Sequence, residues 1–369
     1  MTTAVLTKQE ISINRDTLSE VLSNALQAIS VKVSRPILAD VLFKCVDGVL
    51  EVSSYNEQIG IKQRIDVEGN LDAVCIPARL FADTISKQPK GADLTLEYDG
   101  HSIIIKRGKS KSKVAVHPAD EYPLIEIAEG QASTISTDDF IKAMPKVLFS
   151  TSTEETKQTL TGVNLNGTKA GSTDGHRLSV ATLEDAFPGD SITVPSSTLS
   201  LILKLAGSSI TPEIGVNLDE RMVSFQIGNT ELHSRLIEGQ YPNYPQLIPQ
   251  SFIHAFTLNR AELIQRLDIV MVMAAQKNDV VTLTFSPDSL VVSAEAGENG
   301  DSQEWLECSA ADFEVSLNGK YFLEALKNLG SEDLRMHCNS ATTPIVIKPI
   351  ESGVEGDYIH LLMPIQKRS

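Results

Sequence analysis

One tryptophan and four cysteines in 369 residues, and no apolar stretch long enough for a membrane, set the first limits on this chain. A spanning helix needs about 18 consecutive apolar residues, so none is expected. The opening Met1-Thr-Thr-Ala-Val-Leu-Thr-Lys lacks the apolar run and cleavage site of a secretion signal. Cys45, Cys75, Cys308 and Cys338 stand far apart, without the close pairs that metal sites use. Free thiols in a reducing compartment are the expectation, with the cytoplasm as location; disulfides stay open at this level. No glycine-rich phosphate loop, HExxH pair or EF-hand loop occurs, so neither cofactor nor metal is expected. Basic residues are also scarce. Against 48 Asp and Glu there are 32 Lys and Arg, a net charge of −16. That balance argues against holding nucleic acid by bulk attraction.

What the chain has is repetition, with a period of about 120 residues, the size of a whole domain rather than a solenoid unit. A strand running into a capped helix appears at Ile11-Ser-Ile-Asn-Arg-Asp-Thr-Leu-Ser-Glu-Val-Leu. It returns at Ser133-Thr-Ile-Ser-Thr-Asp-Asp-Phe-Ile-Lys-Ala-Met and at Ala255-Phe-Thr-Leu-Asn-Arg-Ala-Glu-Leu-Ile-Gln-Arg-Leu. In each, alternating apolar residues give way through a polar cap to helical spacing. A second opening repeats as well, at Val74-Cys-Ile-Pro-Ala-Arg, Ile192-Thr-Val-Pro-Ser-Ser and Phe313-Glu-Val-Ser-Leu-Asn-Gly-Lys. Strands follow each time, such as Leu94-Thr-Leu-Glu-Tyr and Ile103-Ile-Ile-Lys. The expectation is an α+β chain of three tandem domains, residues 1–126, 127–250 and 251–369, each made of two helix-plus-sheet halves.

The charge is uneven among the copies. Residues 1–126 hold 15 basic and 17 acidic side chains, net −2. Residues 127–250 hold 8 and 14, net −6, and residues 251–369 hold 9 and 17, net −8. The first copy carries Lys106-Arg-Gly-Lys-Ser-Lys-Ser-Lys113, in which Lys109, Lys111 and Lys113 alternate and would share one face of a strand. The third carries Glu295-Ala-Gly-Glu-Asn-Gly-Asp-Ser-Gln-Glu-Trp-Leu-Glu307, with Glu298, Asp301 and Glu304 among its acids. Either run alone reads as a solvated edge that resists aggregation. Together, on the first and last of three similar domains, they point to a head-to-tail contact between two chains, which closes into a ring if the rotation allows.

If a ring forms, one layer of it faces inward. Lys142 and Lys146 share a helix side, and Lys204, Arg260, Arg266 and Lys320 add cations on other helices. The alternative is ordinary solvated helix faces, since acids such as Asp138, Asp139 and Glu262 accompany them. Encirclement needs only weak, sequence-blind phosphate contacts, which removes the conflict between acidic charge and a DNA function.

Thr173-Asp-Gly-His-Arg-Leu178 is the densest group of reactive side chains. A hydrolase reading pairs Asp174 with His176, but neighbours in sequence rarely form such a relay. Asp-Gly reads instead as a tight turn between strands.

That stretch, with Leu361-Leu-Met-Pro-Ile365, Arg35-Pro-Ile-Leu, Val74-Cys-Ile-Pro-Ala-Arg and Glu238-Gly-Gln-Tyr-Pro-Asn-Tyr-Pro, resembles the bacterial DNA polymerase III β subunit family, the sliding clamps. The resemblance runs from end to end. It implies a homodimeric ring of six similar DNA-clamp domains, helices inside and antiparallel sheets outside. Such a ring has no catalytic activity; it encircles double-stranded DNA without regard to sequence and confers processivity. The implied partners are the DNA polymerase III catalytic subunit, a clamp loader, and other clamp-binding replication and repair proteins, at the nucleoid in the cytoplasm. Partners of the family dock a glutamine-led peptide with apolar anchors between the second and third domains. Carried over by motif, that pocket takes in Leu160, Thr173, Gly175, His176, Arg177, Leu178, Pro242, Leu247, Pro344, Leu361, Leu362, Met363, Pro364 and Ile365. Lys32 and Arg79 match basic positions linked to DNA, whereas the Ser150–Thr159 loop has Glu154 and Glu155 with Lys157 as its single cation. The different-class alternatives are a three-domain scaffold that binds proteins but no DNA, and the hydrolase.

Overall fold

The structure is a computed structural model, and it describes residues 9–29, 35–123, 125–208 and 210–366. Among these residues six α-helices occur, two to each copy: α1 Arg15–Ala25, α2 Ala78–Ser86, α3 Thr137–Leu148, α4 Ser196–Ser208, α5 Arg260–Ala274 and α6 Gly319–Asn328. Three of them begin at an asparagine whose side chain accepts a backbone N–H of the first turn. Asn14 takes that of Asp16, Asn259 that of Glu262 and Asn318 that of Tyr321. Each satisfies a donor the helix leaves unpaired, which explains why the cap recurs at the start of a helix.

Every copy then has the same eight strands. Copy one contributes β1 Glu10–Asn14, β2 Asp40–Val46, β3 Val49–Tyr55, β4 Ile59–Asp66, β5 Glu68–Pro77, β6 Asp93–Tyr98, β7 Ser102–Arg107 and β8 Ser110–Ala115. Copy two contributes β9 Gln131–Ser136, β10 Gly162–Asn166, β11 Lys169–Thr173, β12 Arg177–Thr182, β13 Ile192–Pro195, β14 Glu213–Leu218, β15 Met222–Ile227 and β16 Thr230–Arg235. Copy three contributes β17 His254–Asn259, β18 Val280–Ser286, β19 Ser289–Glu295, β20 Asp301–Glu307, β21 Phe313–Asn318, β22 Asp333–Cys338, β23 Ile345–Glu351 and β24 Ile359–Leu362. Two-residue bridges at His117–Pro118 and Val354–Glu355 complete sheets of 13, 9 and 4 strands. All pairings are antiparallel.

By internal contacts the chain forms two compact units, Met1–Thr137 with Leu201–Leu236 and Asp138–Ser200 with Ile237–Ser369, so the second copy is divided between them. In the first unit the order β4-β3-β2-β5-β1-β6-β7-β8 is that of copy one. The half-sheet β9-β14-β15-β16 of copy two joins it edge to edge, β16 against β4, with Leu232 opposite Ile61. In the second unit β13-β10-β11-β12 of copy two joins β24-β23-β22-β17 of copy three, β12 against β24, with Leu178 opposite Leu361. The sheet β20-β19-β18-β21 completes copy three. Two joins therefore use the same pair of positions, the fourth strand of one copy and the eighth of the next. One strand of each kind remains at an edge: β8, paired with β7 alone, and β20, paired with β19 alone.

The cores lie where helices cover the sheets. In copy one Phe43 and Phe81 meet edge-on, ring centroids 5.6 Å apart, among Leu18, Leu22, Val52, Ile76 and Leu96. In copy three Phe256 and Phe285 stack at 4.1 Å. Burial of such side chains contributes about 1.5–3 kcal/mol each, and the alternation of each strand decides which face receives it.

Candidate functional site

The Thr173–Leu178 stretch forms the turn from β11 to β12. Asp174 Oδ1 accepts the backbone N–H groups of His176 (2.9 Å) and Arg177 (3.1 Å), an Asx turn. Gly175 has φ 95°, a backbone region that a side chain would strain. The Thr173 hydroxyl donates to the Arg177 carbonyl at 2.6 Å and accepts the Gly175 N–H at 3.1 Å. Asp174 Oδ2 is taken by Arg177 Nε at 3.0 Å. Among the described residues no carboxylate meets the His176 ring, and both Asp174 oxygens are engaged within the turn, which is not the acid–base pair of the hydrolase alternative.

Alternation along β12 and β24 sends neighbouring residues to opposite faces. On the face away from the helices, Leu178 and Leu361 sit opposite each other. They join Leu160, Val180, Tyr241, Tyr244, Ile248, Phe252, Val346 and Ile359 in one apolar cluster. Tyr241 and Tyr244 meet edge-on at 6.2 Å, and the Tyr241 hydroxyl accepts the Thr173 N–H at 3.0 Å. A Cβ on Gly171 would stand 2.5 Å from the Tyr244 ring, so glycine there lets the ring lie on the sheet. Around this floor Leu247 (53% exposed) and Met363 (43%) offer apolar surface to solvent, and Pro242, Gly175 and His176 are exposed beside them. The Met363 N–H donates to the His176 carbonyl at 3.0 Å, tying the chain's last segment to the turn. Pro344 and Pro364 are half-buried. These residues outline a candidate trough, its floor the buried apolar cluster and its exposed rim Leu247, Met363, Pro242, Gly175 and His176.

The opposite face receives Arg177 and Leu362, which pair across the same two strands. Arg177 is buried and does not line the trough. Its guanidinium donates to the Phe149 carbonyl at 2.6 Å and to Glu324, and lies 4.3 Å from the Tyr321 ring centroid and 5.3 Å from that of Phe149. Beside it His360 is fully buried, its Nδ1 2.9 Å from the Ser179 hydroxyl, which lies 2.7 Å from that of Ser150. The Tyr358 hydroxyl donates to the Lys146 carbonyl at 2.9 Å. Burial, helped by the Arg177 charge, pushes the His360 pKa down to about 3, so this imidazole is neutral at pH 7. Ile365 also leaves the trough: its N–H donates to the Ser316 carbonyl of β21 at 2.7 Å.

Of the cations placed on helices, Arg79, Lys142 and Lys204 are exposed. Lys146 is half-buried, its ammonium 5.8 Å from the Tyr358 ring centroid. Arg260 donates to the carbonyls of Ser331 (2.5 Å) and Leu326 (3.4 Å), Arg266 pairs with Glu304 (3.4 Å) and Lys320 with Asp279 (2.8 Å). Lys32 lies outside the described residues. At the open edges Lys109 sits in the turn before β8 rather than in the strand, and Lys111 is exposed on β8. Lys113 pairs with Asp99 at 2.8 Å and holds that carboxyl at about 2. Glu298 and Asp301 are exposed at the start of the β20 edge, whose Trp305 is 52% exposed. Exposed apolar residues accompany both ends, Leu80 (57%) on α2 and Ile269 (44%) and Val272 (65%) on α5. The four cysteines are free, and burial raises the thiols of Cys75 and Cys338 to about 12, far from reactive. Among the described residues no helix is long and apolar enough to cross a membrane.

Val180, Tyr241, Tyr244, Ile248, Phe252, Val346 and Ile359 are cluster residues absent from the pocket carried over by motif, although the two tyrosines stand within the 238–245 stretch. Val180 was within reach, two positions beyond Leu178 on the same face. The others reach the site through pairings that no local pattern announces.

Three family models match in series: the N-terminal domain of the DNA polymerase III beta subunit over residues 9–126, its central domain over 134–243 and its C-terminal domain over 245–366. A beta sliding clamp of Synechococcus elongatus is 32% identical over 369 residues, covering 95% of this chain and 98% of that one. The crystal structure of a Bacillus subtilis DNA polymerase sliding clamp is 25% identical, with TM-score 0.89 over 98% of this chain and 100% of that one. A Pseudomonas aeruginosa sliding clamp bound to griselimycin shares the fold at 19% identity, with TM-score 0.91 over 98% and 100% of the two chains.

Proposed function

The chain belongs to the DNA polymerase III beta subunit family, the sliding clamps, and from that premise we propose how it assembles and where its partners dock. It is a non-catalytic processivity factor: it encircles duplex DNA and tethers the replicative polymerase and other clamp-binding proteins. Two copies close head to tail, β8 of each chain against β20 of the other. The observation that carries this is the repeated join. Fourth and eighth strands pair at β4·β16 and β12·β24, and the remaining fourth and eighth strands, β20 and β8, are open edges. An unpaired edge of this kind is a template for another strand. Opposite charge supports the match, Lys109 and Lys111 on one edge against Glu298 and Asp301 on the other. So does apolar surface on both sides, Leu80 against Ile269, Val272 and Trp305.

We place the domain boundaries at residues 126 and 250; the N-terminal family model ends at 126, and the C-terminal model begins at 245, five residues before the second boundary. The partner peptide docks in the trough on Leu160, Leu178 and Leu361, with Tyr241 and Tyr244 as its walls. Apolar anchors bury area there, while His176 and the turn's backbone orient the peptide's polar groups. DNA is held without sequence reading by the exposed cations Arg79, Lys142 and Lys204, and by Lys32. The place of action is the cytoplasm, at the nucleoid. Native mass spectrometry of the full chain at micromolar concentration tests the assembly. A dimer is expected, and a monomer alone would sink the edge pairing.

A further inference from the structure

The threefold repetition allows the trough to be compared with its own counterparts. In copy two the trough lies between Leu160, ahead of β10, the outward positions of β11 and β12, and the segment after β16. In copy one the same place is filled by the chain itself. Ile37 and Leu38 stand ahead of β2, Leu42 and Tyr55 point outward, and Tyr122 and Ile125 follow β8. A Cβ on Gly60 would lie 2.5 Å from Ile125 Cγ2, so this counterpart is closed by design of the linker.

In copy three the place is open. A cavity of about 500 Å³ lies between Lys277 and Asn278 ahead of β18, the outward Thr282, Ser293 and Glu295, and Ile365 with Gln366 after β24. Its chemistry has changed. Where copy two presents leucines and tyrosines, copy three presents one ammonium, one carboxylate, two amides and two hydroxyls beside the apolar Val280, Ala294 and Ile365. Lys277 Nζ and Glu295 Oε2 are 4.0 Å apart with both side chains more than half exposed, so each can turn to an incoming charge. The two sites also share a wall. The strap Met363–Gln366 is fixed to the trough by the Met363 N–H on the His176 carbonyl (3.0 Å). Its other end is fixed to copy three by the Ile365 N–H on the Ser316 carbonyl (2.7 Å). Only Pro364 lies between the two anchored residues, a span of roughly 7 Å at extended-chain rise.

We propose that this cavity takes a short polar stretch, carrying both signs of charge, of the same partner polypeptide whose apolar anchors fill the trough. A polypeptide leaving the trough over Pro364 reaches Lys277 and Glu295 within a few residues. The trough supplies apolar burial; the cavity reads what flanks it, and so ranks partners that share the same anchors. This inference rests on the trough as the docking site.

Three fluorescent peptides test it by anisotropy on the full-length protein. The first is a glutamine-led pentapeptide with leucine and phenylalanine anchors; the others add Glu-Ser-Asn-Lys at its N-terminus or its C-terminus. One extended peptide should bind about two- to fivefold tighter than the core, the worth of one or two exposed ion pairs. The gain should vanish in Lys277→Ala/Glu295→Ala, which leaves net charge unchanged, and in Ser293→Trp, which fills the cavity. Both variants should still bind the core peptide as the wild type does, which checks their folding. If the core binds and neither extension helps, or if the gain survives the double substitution, the inference is wrong and the trough stands. If the core peptide itself fails to bind, the trough reading falls and takes this inference with it.

Discussion

Replacing Arg177 by alanine should loosen the second unit far more than a position just after a turn implies. The guanidinium makes three directed contacts, with Asp174 Oδ2 (3.0 Å), the Phe149 carbonyl (2.6 Å) and Glu324, and packs on the Tyr321 and Phe149 rings. The partners differ in exposure: the Asp174 side chain is 12% exposed and that of Glu324 51%. Truncating one member of a buried charge pair costs about 3–5 kcal/mol because the other is left uncompensated, whereas an exposed pair is worth about 0–1 kcal/mol. Asp174 keeps two backbone N–H donors after the change, which softens its loss. Arg177→Ala should therefore cost about 3 kcal/mol, with a smaller loss for Arg177→Lys, which keeps the charge but not the planar fork. Urea unfolding of the single and paired variants apportions the loss. The Arg177–Asp174 coupling should be about 2 kcal/mol and the Arg177–Glu324 coupling below about 1 kcal/mol. Equal couplings, or a total loss within about 0.5 kcal/mol as for an ordinary surface change, would refute the buried-clamp reasoning.

Two further outcomes follow from the same geometry. His360 has a folded pKa near 3, below the unfolded value of about 6.5, so the unfolded chain binds the extra proton as pH falls. Its contribution is complete above about pH 6.5 and is lost below it, about 2 kcal/mol between pH 7 and pH 5. Comparison of urea midpoints at the two pH values should show His360→Gln lacking that loss; an unchanged pH dependence would discard the assignment. At the edges, Lys109→Glu with Lys111→Glu should weaken dimer formation in analytical ultracentrifugation, and raised salt should weaken the wild type modestly. A dimer indifferent to the reversal would mean that β8 does not meet the acidic edge.

How much of this was legible depends on whether a feature is local. The helix starts were, because an asparagine or Asp-rich cap followed by helical spacing is written in a few adjacent residues, as at Asn14, Asn259 and Asn318. The tight turn at Asp174-Gly175 was legible for the same reason. The joins were not. Alternation in Thr230–Arg235 or Ile359–Leu362 specifies which residues face the core, but says nothing about which strand lies alongside. The trough inherits that limit, since Val346 and Tyr244 reach Leu178 only through the β12·β24 pairing and the linker's path. Arg177 shows the converse. Grouped by motif with His176 and Leu178, it lies by alternation on the other face, where it bonds Glu324 of α6 and the Phe149 carbonyl just after α3. Lys109 was expected on the strand with Lys111 and Lys113, but Gly108, with φ 55°, begins the turn that removes it.

The central claim is that the two open edges close a ring around DNA, and topology tests it most directly. The protein is loaded by a clamp loader on nicked circular duplex DNA, the DNA is then linearised, and bound protein is measured before and after. Retention on the circle with loss from the linear ends is the predicted result. Equal retention on circle and line would contradict encirclement and leave the chain a DNA-bound or partner-bound scaffold.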